Sequence, residues 1–396
     1  MGSNVFARCT SLTKDLTFPK LKSIGLVSLY MVGSKKMSFG ALESIPSVYY
    51  GKVFGDPEIL EEVDFTGSTF TEMNDYNQTF GNYTALKKII LPQSCTTLLA
   101  FKGCTKLENI NLENVTSIGN RCFEGCASLS NIDIFNSKTI GDNAFYNCTS
   151  LEIEDLSLPN LETLGQNAFY GVKIKKISNL GKITAWPYSN GYINVFSVNA
   201  EYLESVTVPD GITDIPGGFL YDCINVRELH INWQNIKSIG WYAFRNCKSL
   251  VIDNLSIPNL ETLGEYTFDG VKIKYVLDLG KVTTIPGGNW GNFLHCDKDY
   301  LEGVILPDTV TTIGYHLLRD CTNVKFLVVK SIAPPTLTEI GHFEGSPNCP
   351  IYVPDASVTA YQEATNWSSY ASRIKAISDL PIDNPEVYEE IKEYLN

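Results

Sequence analysis

Leu107-Glu-Asn-Ile-Asn-Leu112, then Val115-Thr-Ser-Ile-Gly119, then Cys122-Phe-Glu-Gly-Cys126, after which Leu129 begins the same order again: the fold is decided by this stretch. Leu107 to Leu129 and Leu129 to Leu151 are steps of 22 residues, and Leu301 to Val324 is a step of 23. A period in this range marks a stack of short units, each burying its apolar side against its neighbours. Fourteen units open near Leu12, Ser34, Leu60, Leu86, Leu107, Leu129, Leu151, Ile174, Leu203, Val226, Leu250, Ile273, Leu301 and Val324. A longer copy overlies the short one. Leu156 to Gly181 recurs from Leu255 to Gly280, 99 residues on, with Pro-Asn-Leu-Glu-Thr-Leu-Gly at both Pro159 to Gly165 and Pro258 to Gly264.

Each column of the repeat carries a physical expectation. Leu107 to Leu112 and Leu203-Glu-Ser-Val-Thr-Val208 alternate apolar and polar residues, which suits a short strand buried on one side. Proline then ends the ladder at positions 92, 159, 209, 258 and 307. A second apolar piece ends in glycine in eight units (25, 119, 141, 165, 240, 264, 314, 341) and in Pro46, Pro187, Pro216 or Pro286 in four more, a choice expected to serve backbone freedom or rigidity. Ala-Phe-x-x-Cys, as at Ala144 to Cys148 and Ala243 to Cys247, reads as one tight helical turn. The residue before the Cys column is Gly103, Gly125, Asn147, Gly171, Asp222, Asn246, Gly270 or Asp320, with Arg8 and His295 as the exceptions in type, and this composition predicts positive φ there.

Composition narrows the function classes. The 396 residues hold 31 Lys plus Arg against 44 Asp plus Glu, net −13, so no basic stripe is available for nucleic acid. Hydrophobic residues reach 44% and charged residues 19%, which fits a chain folded throughout. No apolar run approaches the roughly 18 to 20 residues of a membrane helix, so membrane insertion of this chain is not expected. Length alone suggests two or three domains. The repeat overrides that prior and predicts one elongated solenoid over 1–350, its coils about 4.8 Å apart.

These residues resemble the BspA-like class of bacterial leucine-rich repeats, with Val115-Thr-Ser-Ile-Gly119 and Val310-Thr-Thr-Ile-Gly314 looking like its signature nearly unaltered. Ile351-Tyr-Val-Pro-Asp355 through Asn366-Trp-Ser-Ser369 also resembles the cap that closes such arrays in gut Bacteroidetes and their phages, which gives a cap over 351–377. The resemblance implies a β-rich leucine-rich-repeat solenoid with short helical turns and a small helical C-terminal cap. It further implies a surface adhesion or binding protein, without naming a ligand.

Eleven cysteines do not require disulfides or metal. Cys9, Cys104, Cys126, Cys148, Cys223, Cys247, Cys296 and Cys321 share one column, where other units place Val172 and Val271, so the column calls for a small buried hydrophobe and free thiols are expected. Cys122 falls in the Ala column and Cys95 in the Val column, while Cys349 has no place in the repeat. His230, His295, His316 and His342 have no second ligand at a metal spacing, and no nucleophile or phosphate-loop motif appears. Acidic residues recur at repeat positions such as Glu108, Glu204 and Glu302, as on a solvated face.

At the ends, Met1 to Cys9 aligns with Ile140 to Cys148, so the chain opens inside a coil, and a longer parent is expected. Ser378 to Asn396 carries six acids against Lys392; Asn384-Pro385 suits a helix start, and Val387, Tyr388, Ile391, Tyr394 and Leu395 form a stripe expected to dock on its own domain. Between the turn residue and the Phe column lie positions that nothing in the repeat constrains. In one half they hold Asn120-Arg121, Asp142-Asn143 and Gln166-Asn167, and in the other Trp241-Tyr242, Tyr266, Trp290 and Tyr315-His316. Stacked coils would align these aromatics into a stripe about 15 Å long, a binding surface or a set of rings packed over coil edges. Tyr49, Tyr50, Tyr188 and Tyr192 lie several coils away.

The function expected is non-enzymatic recognition of a protein or glycan by a secreted or cell-surface monomer, without cofactor or metal. A phage structural or receptor-binding component, and an enzyme whose site the sequence does not show, are the alternatives.

Overall fold

A computed structural model describes all residues except 47–51, 75–78, 188–195, 197, 288–295, 339–340, 347 and 396. Trp290, His295 and Tyr49, Tyr50, Tyr188 and Tyr192 lie outside the described residues. The described residues form two compact units, one ending at Pro209 and one beginning at Asp210. Each is parallel β-solenoid, one turn per repeat.

In the first unit, Leu16–Phe18, Lys36–Phe39, Glu62–Asp64, Lys88–Ile90 and Asn109–Ile110 make one parallel sheet, with Leu16 opposite Met37, Met37 opposite Val63 and Val63 opposite Ile89. The second apolar piece of each repeat makes another, from Glu72–Asn74 through Thr97–Leu99, Ser117–Ile118 and Thr139–Ile140 to Thr163–Leu164. Between the sheets the Phe column forms a continuous stack: Phe54, Phe80, Phe101, Phe123, Phe145 and Phe169 follow at centroid spacings of 5.3, 5.6, 5.5, 5.3 and 5.5 Å, all within 11° of parallel. Stacked pairs add about 0.5–1.5 kcal/mol each beyond the area they bury, so one ring per coil both fills the core and sets the register.

The second unit repeats the scheme. Val251–Ser256, Lys272–Asp278, Gly303–Leu306, Phe326–Val329, Ile351–Val353 and Ile374–Ala376 form its long parallel sheet. The region expected as a cap thus adds two strands and closes with Val358–Glu363 and the 3-10 turn Trp367–Arg373, where buried Trp367 donates its indole N–H to the Pro335 carbonyl at 2.8 Å.

The acidic C-terminal segment docks as its stripe predicts. Leu380, Val387 and Ile391 are buried with Tyr275, Leu277, Ile305, Phe326, Val328 and Tyr352 on the outer face of the long sheet, and Ile377, Tyr388, Tyr394 and Leu395 pack around them. The 99-residue duplication shows how the face was made apolar: Tyr275 and Leu277 stand where the earlier copy has Lys176 and Ser178.

Two sequence expectations change. Among the eight turn glycines only Gly341 has positive φ, so the column is not there for backbone freedom. At Gly25, Gly141, Gly165, Gly240, Gly264 and Gly314 the neighbouring coil comes too close for a Cβ, whereas at Gly119 the nearest atom would be 3.1 Å away and at Gly341 3.9 Å. One added at Gly25 would lie 2.5 Å from the Gly2 carbonyl carbon, and at Gly141 2.6 Å from the Asn120 nitrogen. The expected helical turn is instead two overlapping turns, closed in one coil by Tyr146 N–H to the Asn143 carbonyl and Cys148 N–H to the Phe145 carbonyl, both 3.1 Å.

The left-handed column is as expected, with φ from 58° to 79° at all eight named Gly, Asn and Asp positions and 64° at Arg8. All the cysteines are free and all but Cys9 are buried. Cys104, Cys126, Cys148 and Cys247 each donate their S–H to the carbonyl of a Phe-column residue one coil earlier, at 3.0–3.2 Å. Cys9, in the coil of Phe6, is exposed. Burial pushes the thiols of Cys104, Cys122 and Cys148 up to about 12.

Because the thiolate is the reactive form, one thiol of eleven, Cys9, should react in the native protein at mildly alkaline pH and all eleven after denaturation; rapid native labelling of Cys126 or Cys148 would contradict this packing. Gly141→Ala should cost about 1–3 kcal/mol by overpacking, read as a lower unfolding midpoint. Gly125→Asn, at φ 76° with its nearest neighbour atom 3.8 Å away, should leave the midpoint nearly unchanged.

Candidate functional site

The side of each coil that carries no sheet is held by a different ladder. In the coil of Asn143, the N–H groups of Asn143, Phe145 and Asn147 donate to the carbonyls of Gln166, Ala168 and Tyr170 in the next coil, each at 2.8 Å. Tyr242, Phe244 and Asn246 do the same to Glu265, Thr267 and Asp269 at 3.1, 2.8 and 2.6 Å. Every second N–H must therefore face along the stack, and a left-handed residue at each end of the segment supplies the reversals. The positions that looked unconstrained in sequence are not. Arg121, Asn143, Asn167, Tyr242, Tyr266 and His316 all have φ between 53° and 60°. Asn is well suited to that geometry, and a bulky Tyr is an outlier there, costing on the order of 1–2 kcal/mol.

The two tyrosines are brought together. Tyr242 and Tyr266 lie 5.3 Å apart at 32°, and Tyr221 meets Tyr242 edge-on at 6.2 Å. The Arg245 guanidinium covers both Tyr242 (5.1 Å) and Tyr221 (5.6 Å). Its Nη1 lies 3.4 Å from the Tyr221 hydroxyl and its Nε 3.0 Å from an Asp269 carboxylate oxygen. Trp241 stands beside this cluster with 66% of its surface exposed, the highest value among the aromatic residues described. Its approach to the next coil depends on Gly264, where an added Cβ would lie 2.6 Å from Trp241 Cδ1.

Tyr315, 38% exposed, lies 6.4 Å from the His316 ring, and His316 Nε2 is 3.3 Å from Arg319 Nη1. These two form a pair of their own, and Trp290, on the intervening coil, is outside the described residues. Sequence reading passed over Tyr221, Arg245 and Asp269. The signal was available: all three occupy the column between the Phe position and the left-handed residue, in consecutive coils.

The charged strand face differs in kind. Lys36 pairs with Glu62 at 3.0 Å, and Glu61 takes Lys35 at 2.7 Å and Lys87 at 2.8 Å, hydrogen bonds that lower its carboxyl to about 2. A trough of about 300 Å³ lies there among Lys36, Glu62, Asp64 and Lys88. Exposed pairs of this sort contribute little each. Among the described residues no group of three or more His, Cys, Asp and Glu could hold a metal ion, and no helix is long and apolar enough to cross a membrane.

The chain matches the family described as BspA type leucine rich repeat region (6 copies), over residues 1–99, 76–190, 184–297 and 288–365. No curated protein matches it. It is similar to a leucine-rich repeat protein from Bacteroides ovatus (17% identity, 85% of this chain and 92% of that one, TM-score 0.48). It is similar also to a leucine rich cell surface protein from Faecalibacterium prausnitzii (14%, 88% and 93%, TM-score 0.39) and to the pneumococcal vaccine antigen PcpA (13%, 92% and 87%, TM-score 0.36).

Tyr266→Asn relieves the left-handed penalty and removes one ring contact, terms of similar size, so the melting temperature should stay within about 3 °C of the parent. A fall of more than about 6 °C would show that the ring is held for packing alone.

Proposed function

The chain belongs to the BspA-type leucine-rich-repeat family, and from that premise we propose that it is a non-catalytic recognition protein of a bacterial surface, meeting a protein or glycan ligand through Trp241, Tyr242 and Tyr266. The proposal also takes in Tyr315, His316 and Trp290.

One observation carries the reading. Rings stand where sibling coils place Asn143 and Asn167, in a backbone geometry that favours Asn, and the neighbouring Trp241 is 66% exposed. Local strain with no gain in burial points to a demand from outside the fold. Arg245 and Asp269 hold the tyrosines in place beforehand, which lowers the ordering cost of binding. A repeat scaffold also suits recognition, since side chains on equivalent positions of consecutive coils change without disturbing the stack.

The test is the double variant Trp241→Ser with Tyr266→Asn, compared with the parent on arrays of proteins and glycans and by thermal melting. Retention should fall about tenfold or more while melting stays unchanged. Equal retention, or a collapse in melting with retention intact, would refute the patch as the recognition site.

A further inference from the structure

Resting on the reading of this patch as a recognition site, we propose that its ligand is a neutral, hydroxyl-rich glycan.

The surroundings of Trp241 decide against the other ligand classes. In the preceding coil the two corresponding positions are Gly217 and Gly218, which carry no side chain of their own. In the next coil the corresponding residue is Glu265, which is exposed. A flat, bare shelf bordered by a carboxylate matches a pyranose, which has an apolar C–H face for the ring and a rim of hydroxyls that donate to an anionic acceptor. Exposed Asp222, whose Oδ1 already accepts from Asn246 Nδ2 at 2.6 Å, supplies a second acceptor beside Tyr221.

An anionic ligand lacks a partner here. Arg245 is the one cation described within the ring cluster, and its charge is taken by Asp269 and two ring faces. Glu265, Asp222 and a net charge of −13 would repel sulfate or carboxylate groups. A protein partner fits less well. Stable protein interfaces bury about 800 Å² per partner around an apolar centre, whereas one open indole and two half-buried tyrosines are bordered at once by Glu265, Asp269 and Asn246. Tyr242 is already faced by Tyr266 at 5.3 Å and by the Arg245 guanidinium at 5.1 Å, so the open aromatic face for a sugar is that of Trp241, with the braced tyrosines beside it.

The experiment is affinity electrophoresis and calorimetry of the full chain. Neutral probes are a β-glucan, a mannan and a xylan; anionic probes are heparin and polygalacturonate; a mixed protein array runs alongside. At least one neutral polysaccharide should bind, with affinity unchanged between low and high salt, because no ion pair is made. Trp241→Ala should weaken it about tenfold or more with melting unaltered. Glu265→Gln should weaken it less, by removing charge from one hydroxyl acceptor. Trp241-dependent binding confined to the anionic probes or to proteins overturns the glycan inference and leaves the recognition site standing. Binding of every probe unaffected by Trp241→Ala overturns both, and no binding of any neutral polysaccharide overturns the glycan inference.

Discussion

Each coil must close on itself and arrive one hydrogen bond further along the stack, and the rest of the molecule follows from that requirement. Two sides meet it with parallel strands two to seven residues long, as at Ser117 to Thr139 and Ile118 to Ile140. The third side meets it with alternate N–H groups between left-handed residues. At the corner between strand and turn, coil backbones approach closely enough to exclude a Cβ, hence the Ile-Gly step at Gly25 and Gly141. In the interior, phenylalanines keep pace with the backbone at 5.3–5.6 Å, and thiols bond the preceding coil's carbonyls.

Geometry of this kind separates residues by column. Core columns tolerate little: Leu86, Leu107, Leu129 and Leu151 have no exposed surface. Outward columns on the strands are free, and the chain has used them differently in its two copies of one sequence. Lys176 and Ser178 keep a polar face, whereas Tyr275 and Leu277 receive the C-terminal helices. Docking those helices took only outward substitutions, because the inward alternation needed by the stack was left as it was.

The turn columns fall between these cases. Their side chains reach solvent while their backbone is held left-handed, so every residue there is a compromise between local geometry and outside use. Asn143 and Asn167 satisfy the backbone; Tyr242 and Tyr266 do not, and their rings are braced by Tyr221, Arg245 and Asp269. An exposed surface held against local preference is where function is most economically sought.

The amino-acid sequence by itself determined the repeat period, the solenoid, the buried thiol column, the left-handed residue before it and the docking stripe from Val387 to Leu395, since each depends on residue type recurring at a fixed interval. Only the tertiary structure decided why the corner residue is Gly, because a missing Cβ reads alike in sequence whether it frees φ or admits a neighbouring backbone. Likewise the left-handed φ of Tyr242 and Tyr266 has no local signature in a tyrosine; it is imposed by N–H groups that must reach Glu265 and the coils beyond. For Tyr221, Arg245 and Asp269 the shared column was legible in the sequence, but the clamp of Arg245 between Tyr221 and Tyr242 was not. Periodicity names the column a residue occupies, but contacts between columns depend on side-chain directions that only the stacked coils supply.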